Sequence, residues 1–66
     1  MLVTVNGEER QLADGVAVPA LLGQLGLRPG SAVVERNGVA LTPSEAAVTV
    51  LADGDVLEVV RAVAGG

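Results

Sequence analysis

The chain has 66 residues and not one cysteine, histidine, lysine, isoleucine, phenylalanine, tyrosine or tryptophan. Each absence removes a class of chemistry. Without cysteine there is no disulfide framework, thiolate zinc site or thiol nucleophile. Without histidine the commonest general base and the commonest metal ligand are gone. Without lysine there is no Schiff-base chemistry and no side-chain amine to form an isopeptide bond. Basic charge is also scarce: four arginines stand against eight acidic residues, for a net charge of −4. Nucleic-acid binding needs a basic footprint, commonly with stacking aromatics, and both are missing. Anionic membranes would repel such a surface. No apolar run approaches the ~18 residues of a spanning helix, and no basic leader precedes an apolar stretch. The expectation is a soluble, cytoplasmic, acidic domain with neither nucleic acid nor membrane as partner.

What is present is aliphatic. Half the chain is apolar, drawn from valine, leucine, alanine and one methionine, and thirteen valines with nine leucines exceed what a disordered chain carries. Branching at Cβ suits valine to a pleated surface. A domain this small buries only ~60% of its unfolded surface, so every apolar side chain counts.

Leu2-Val3-Thr4-Val5 favours strand, and Asn6-Gly7 after it accepts the positive φ angles of a type I′ hairpin turn. Residues 8–12 then form a polar returning strand at a sheet edge, ended by Asp14-Gly15. The period next changes: Val18, Leu21, Leu22 and Leu25 fall at i, i+3, i+4 and i+7, one stripe of an amphipathic helix. Pro19 fits its first turn, Gly26 fits the left-handed position just past its end, and Pro29-Gly30 bars continuation. Ala17 offers no capping oxygen and Gly23 costs ~1 kcal/mol of helix propensity, so packing must hold this helix. A third strand follows at residues 32–36, then a second Asn-Gly turn at Asn37-Gly38 and a short strand at residues 39–41. Thr42-Pro43-Ser44-Glu45 has the form of a capping box and predicts a single helical turn. A short strand at residues 48–51, a turn at Asp53-Gly54 and a final strong strand at residues 56–61 complete the chain. One helix crossing a mixed sheet, with a late strand parallel to the first, is the economical way to bury these stripes. That arrangement is α+β: the β-grasp, or ubiquitin-like, fold, four to five strands packed on one helix. The domain is expected to span residues 1–61, with residues 62–66 as a flexible tail.

Alternation places Leu57 and Val59 against the helix, with Val56, Glu58 and Val60 on the other face. The first strand likewise sends Val3 and Val5 inward and Leu2 and Thr4 outward. An open face carrying Leu2, Val56 and Val60 beside Glu58 and Glu35 has the make-up of a docking patch with a charged rim.

Catalytic side chains are hard to find. Asp53-Gly54-Asp55 has the opening of a calcium loop without the downstream ligands. There is no nucleotide loop, nucleophile–base pair or metal-ligand spacing, so the side chains do not point to an enzyme, and no metal or cofactor of its own is expected. The last residues, Ala62-Val63-Ala64-Gly65-Gly66, offer the alternative. Five extended residues reach ~16–18 Å, enough to enter a partner's active site from outside. Two glycines pass a narrow channel, and an α-carboxylate is ionised at neutral pH and able to attack the α-phosphate of ATP.

The chain resembles the ThiS sulfur-carrier family of thiamine biosynthesis along essentially its whole length. The resemblance rests on the compact length, Val18-Pro19-Ala20-Leu21-Leu22, Asn37-Gly38 after a strand, Leu51-Ala52-Asp53-Gly54-Asp55, and Val56-Leu57-Glu58-Val59-Val60-Arg61 leading to Gly65-Gly66. It departs from that family at Thr42, Pro43 and Ala46, where Pro-Arg and an aromatic are usual. The resemblance implies that an E1-like, ThiF-like adenylyltransferase uses ATP and magnesium to adenylate the carboxylate of Gly66. Sulfur from a cysteine desulfurase or another donor then converts it to a thiocarboxylate, which a ThiG-like thiazole synthase consumes. It further implies that Gly65 keeps the tail thin, that Ala62, Val63 and Ala64 form the tether, and that Val56 and Val60, with Glu58 and Leu2, belong to the docking face. Three other readings stand beside it: the small subunit of molybdopterin synthase, a ubiquitin-like protein modifier, and an interaction domain with an inert end.

Overall fold

A computed structural model describes residues 1–28 and 30–62. Strands β1 (Leu2–Val5) and β2 (Glu8–Gln11) form the first hairpin, followed by helix α1 (Val18–Gln24). Strands β3 (Ala32–Arg36) and β4 (Val39–Ala40) form a second hairpin, then come helix α2 (Pro43–Val48) and strand β5 (Val56–Arg61). The five strands make one mixed sheet in the order β2-β1-β5-β3-β4. The polar strand β2 lies at an edge, and the last strand is the central one. β5 runs parallel to β1, with Thr4 opposite Val56, and antiparallel to β3.

Local chemistry accounts for the turns and caps. Both hairpins close on Asn-Gly with positive φ at each residue: 51° and 82° at Asn6 and Gly7, 52° and 85° at Asn37 and Gly38. This is the type I′ signature, whose twist matches that of the flanking strands. α1 starts at Ala17 without a side-chain cap. It ends in a Schellman motif: the Leu27 N–H donates to the Leu22 carbonyl at 2.8 Å and the Gly26 N–H to the Gly23 carbonyl at 3.0 Å, with Gly26 at φ 75°. α2 opens with the capping box, Glu45 N–H donating to Thr42 Oγ1 at 3.1 Å and Thr42 N–H to Glu45 Oε1 at 2.8 Å.

The segment between the last two strands differs from its sequence reading. The single turn expected after Thr42 is a six-residue helix that takes in Val48, so a second helix stands beside α1. The strand expected over residues 48–51 shrinks to one antiparallel bridge between Val50 and Ala17. A strong cap, Pro43 at the first helical position and two alanines favour helix here over the β tendency of Val48. The returning strand likewise stops at Gln11, although Leu12 is buried.

α1 lies across one face of the sheet. Its Val18, Leu21 and Leu22 are buried against Val3, Val5, Val34, Leu57 and Val59, and Leu25 of the predicted stripe packs at the margin. Each fully buried valine or leucine contributes ~1.5–3 kcal/mol relative to exposure. The other face of the sheet has no covering element among the described residues.

Candidate docking face and carrier terminus

β5 bears both the outward residues singled out in the sequence and the connection to the chain's last residues, so its anchoring matters most. Both Asn-Gly turns clasp it. β1 ends at Val5, and the Asn6 side chain continues its ladder: Val59 N–H donates to Asn6 Oδ1 at 2.8 Å, and Asn6 Nδ2 donates to the Val59 carbonyl at 3.0 Å. On the other side Val56 N–H donates to Asn37 Oδ1 at 2.9 Å. One residue beyond β5, the Ala62 N–H donates to the Ser31 carbonyl at 2.8 Å.

The entry to β5 is held by Asp55, the one buried charged side chain among the described residues, 6% exposed. Its Oδ2 accepts from Arg36 Nε at 2.9 Å and from the Ala52 N–H at 2.8 Å, and its Oδ1 accepts from Asn37 Nδ2 at 3.0 Å. Burial alone would raise its pKa. The Ala52 N–H, the Asn37 amide and the Arg36 guanidinium together outweigh that and hold the carboxyl below its ordinary value. In the sequence Asp55 stands out only as part of an incomplete calcium loop. The structure makes it the knot that ties the β3–β4 turn to the start of β5, and no group of three or more metal-ligating side chains occurs among the described residues. Burial of an acid before a strand has no signal in hydropathy.

The open face assembles as the alternation predicts. Leu2 (41% exposed), Val56 (49%) and Val60 (60%) lie on it with Glu58, while Leu57 and Val59 are buried beneath. Val33, 49% exposed and directly opposite Val60 in the β3–β5 register, joins them; the alternation of Ala32-Val33-Val34 carried that signal unread. Glu35 and Glu58 face each other across the same strand pair. Ala62 is exposed at the end of β5. Val63, Ala64, Gly65 and Gly66, the remaining tail positions of the sequence reading, lie outside the described residues.

A second feature sits on the helical side. An apolar groove of about 170 Å³ opens between α1, α2 and the β3–β4 hairpin, lined by Pro19, Leu22, Val34, Leu41, Ala46 and Ala62 among others. Ala46, where the resembling family carries an aromatic, is one of its walls. No described helix is long and apolar enough to cross a membrane.

A five-stranded mixed sheet grasping one principal helix, with its opposite face open and its last strand central, defines a ubiquitin-like β-grasp domain. The model of the ThiS family matches residues 3–66. A crystal structure of the thiamine biosynthesis protein ThiS from Geobacter metallireducens superposes with a TM-score of 0.80 at 32% identity, over all of both chains. An NMR solution structure of a thiamine biosynthesis protein from the same organism gives 0.78 at 32% identity, covering all of this chain and 88% of that one. A thiazole synthase of Paramagnetospirillum magneticum is 41% identical over 66 residues, all of this chain and 20% of that protein, so the chain spans about one fifth of that relative's length. The chain belongs to the ThiS family.

Proposed function

We propose that this chain is a sulfur carrier for the thiazole of thiamine, working through the carboxylate of Gly66. An adenylating enzyme of the E1-like class supplies ATP and magnesium. A carboxylate oxygen of Gly66 attacks the α-phosphate, pyrophosphate leaves, and an acyl-adenylate forms. The terminal sulfur of a persulfide on a cysteine desulfurase or equivalent donor attacks the acyl carbon and displaces AMP, and a thiol reductant then cleaves the resulting acyl disulfide to the thiocarboxylate, which a thiazole synthase consumes. The chain's own residues act as handle and stalk: Leu2, Val56, Glu58 and Val60 dock the domain, Ala62, Val63 and Ala64 span to the partner's site, and Gly65 keeps the approach narrow.

The observation that supports this most is the family match running through Gly66. It favours the thiazole branch over the molybdopterin synthase subunit, which shares fold and chemistry. The absence of lysine would prevent a modifier from building chains on itself. Intact mass spectrometry after incubation with the adenylating enzyme, ATP–magnesium and a sulfur donor tests the reading. The expected product is a single oxygen-for-sulfur exchange. A ladder of larger conjugates would identify a modifier instead, and an unchanged mass under conditions that load another ThiS-family carrier would identify an inert interaction domain.

A further inference from the structure

Asn6 and Asn37 are the chain's only asparagines, and each is followed by glycine. Glycine leaves its main-chain nitrogen unshielded by a Cβ, open to the side-chain carbonyl carbon of the asparagine before it. Both turns are exposed, and apart from the chain neighbours nothing stands within 4 Å of where a Cβ would sit on Gly7 or Gly38. What differs is the hold on each amide. Asn6 grips both backbone groups of Val59 at 2.8 and 3.0 Å in a partly buried setting, and its hairpin is paired at four positions. Asn37 accepts from the exposed Val56 N–H at 2.9 Å and donates to Asp55 Oδ1 at 3.0 Å. Its hairpin is paired at only two positions, and both residues of β4 are exposed. Opening the second hairpin therefore breaks fewer contacts, and local opening is what frees a turn side chain to react.

We propose that Asn37 is a site of spontaneous deamidation in the folded chain, and that its conversion unties the start of β5. The Gly38 nitrogen, giving its proton to solvent, forms a bond to Asn37 Cγ. The Cγ–Nδ2 bond breaks, and Nδ2 takes a proton from solvent and leaves as ammonia. Water then opens the cyclic imide, its hydroxyl going to one carbonyl carbon and its hydrogen to the ring nitrogen. Opening at Cγ gives aspartate; opening at the main-chain carbonyl gives isoaspartate. Either product matters because of what Asn37 faces. Its Nδ2 is one of the three donors that hold Asp55, and replacing it with oxygen sets two carboxylates at hydrogen-bond distance, with Arg36 the one cation bound there. Isoaspartate also lengthens the main chain of the turn by a carbon, which the tight type I′ geometry does not accommodate. The site follows from the turn's own chemistry and holds whether or not the chain carries sulfur.

The unaltered chain tests this directly. It is held in warm, mildly alkaline buffer, one sample folded and one unfolded in guanidinium, and then cleaved after Arg10, which puts the two asparagines on separate fragments. Mass spectrometry of each fragment reads the exchange of NH2 for OH over time. The folded chain should lose the Asn37 amide about tenfold faster than the Asn6 amide, while the unfolded chain loses both at similar rates. Equal rates in the folded chain, or faster loss at Asn6, would overturn the site. Asn37→Asp reproduces the aspartate product, and its melting temperature by circular dichroism should lie about 5–15 °C below that of the native chain. A native melting temperature in that variant would overturn the untying of β5.

Discussion

Replacing Asp55 with asparagine keeps the shape of the knot at the start of β5 and removes its charge. The carboxylate now receives three hydrogen bonds, from Arg36 Nε at 2.9 Å, the Ala52 N–H at 2.8 Å and Asn37 Nδ2 at 3.0 Å. An asparagine amide has one acceptor oxygen, so in either orientation its NH2 group faces at least one of these donors. Breaking a buried ion pair while leaving one partner behind typically costs ~3–5 kcal/mol. Arg36 is 31% exposed and can turn to water, which discounts the value to about 2–4 kcal/mol. A domain of this size has ~3–10 kcal/mol of stability in all, so the loss would be severe. With no aromatic residue the chain gives no intrinsic fluorescence signal, and urea unfolding must be followed by far-ultraviolet circular dichroism. At a slope of ~1 kcal/mol per molar urea, the midpoint should fall by about 2–4 M. The pH dependence carries a second signature. Asp55 has a folded pKa below the ordinary 3.8, so its contribution is present above that value and is lost as pH falls through the lower folded one. The gap between native and variant should accordingly close in acid. An Asp55→Asn chain within ~0.5 kcal/mol of native at neutral pH, with an unchanged acid transition, would refute the assignment of Asp55 as the knot.

Asn6→Ala should cost about 2–3 kcal/mol, because alanine resists the left-handed φ of 51° and leaves both Val59 backbone groups without their partner; urea midpoints check this. Ala46→Phe should fill part of the apolar groove and raise stability by about 0.5–2 kcal/mol, whereas a lowered midpoint would mean the groove is too narrow for the ring. Val60→Asp places a further acid on the open face, 60% exposed, so amide spectra should keep the native dispersion while binding to the adenylating enzyme weakens. Loss of the fold in that variant would contradict the register of β5.

The sheet was legible because its signals are local and redundant. Two Asn-Gly pairs marked both hairpins, and the alternation of Val56-Leu57-Glu58-Val59-Val60 assigned each residue of β5 to its face. The 3.6-residue spacing of Val18, Leu21 and Leu22 marked α1 despite its missing cap. Where the sequence misled, two local preferences competed: Val48 continues a capped helix although valine favours strand, and only Val50 retains a bridge. Asp55 stayed hidden because its role depends on Arg36 and Asn37, eighteen or nineteen positions away, which come to it only when β3 pairs with β5. Val33 was within reach of the alternation rule and becomes meaningful only opposite Val60.

The most direct test of the carrier account is loading of the chain with Gly66 deleted, beside the full-length chain. No described core residue is touched, so the amide spectrum of the folded domain should be preserved. The account predicts that the shortened chain takes up no sulfur, and that fragment masses of the full-length product put the sulfur on Gly66. A shortened chain that still gains sulfur, or a full-length product with sulfur elsewhere, would contradict it.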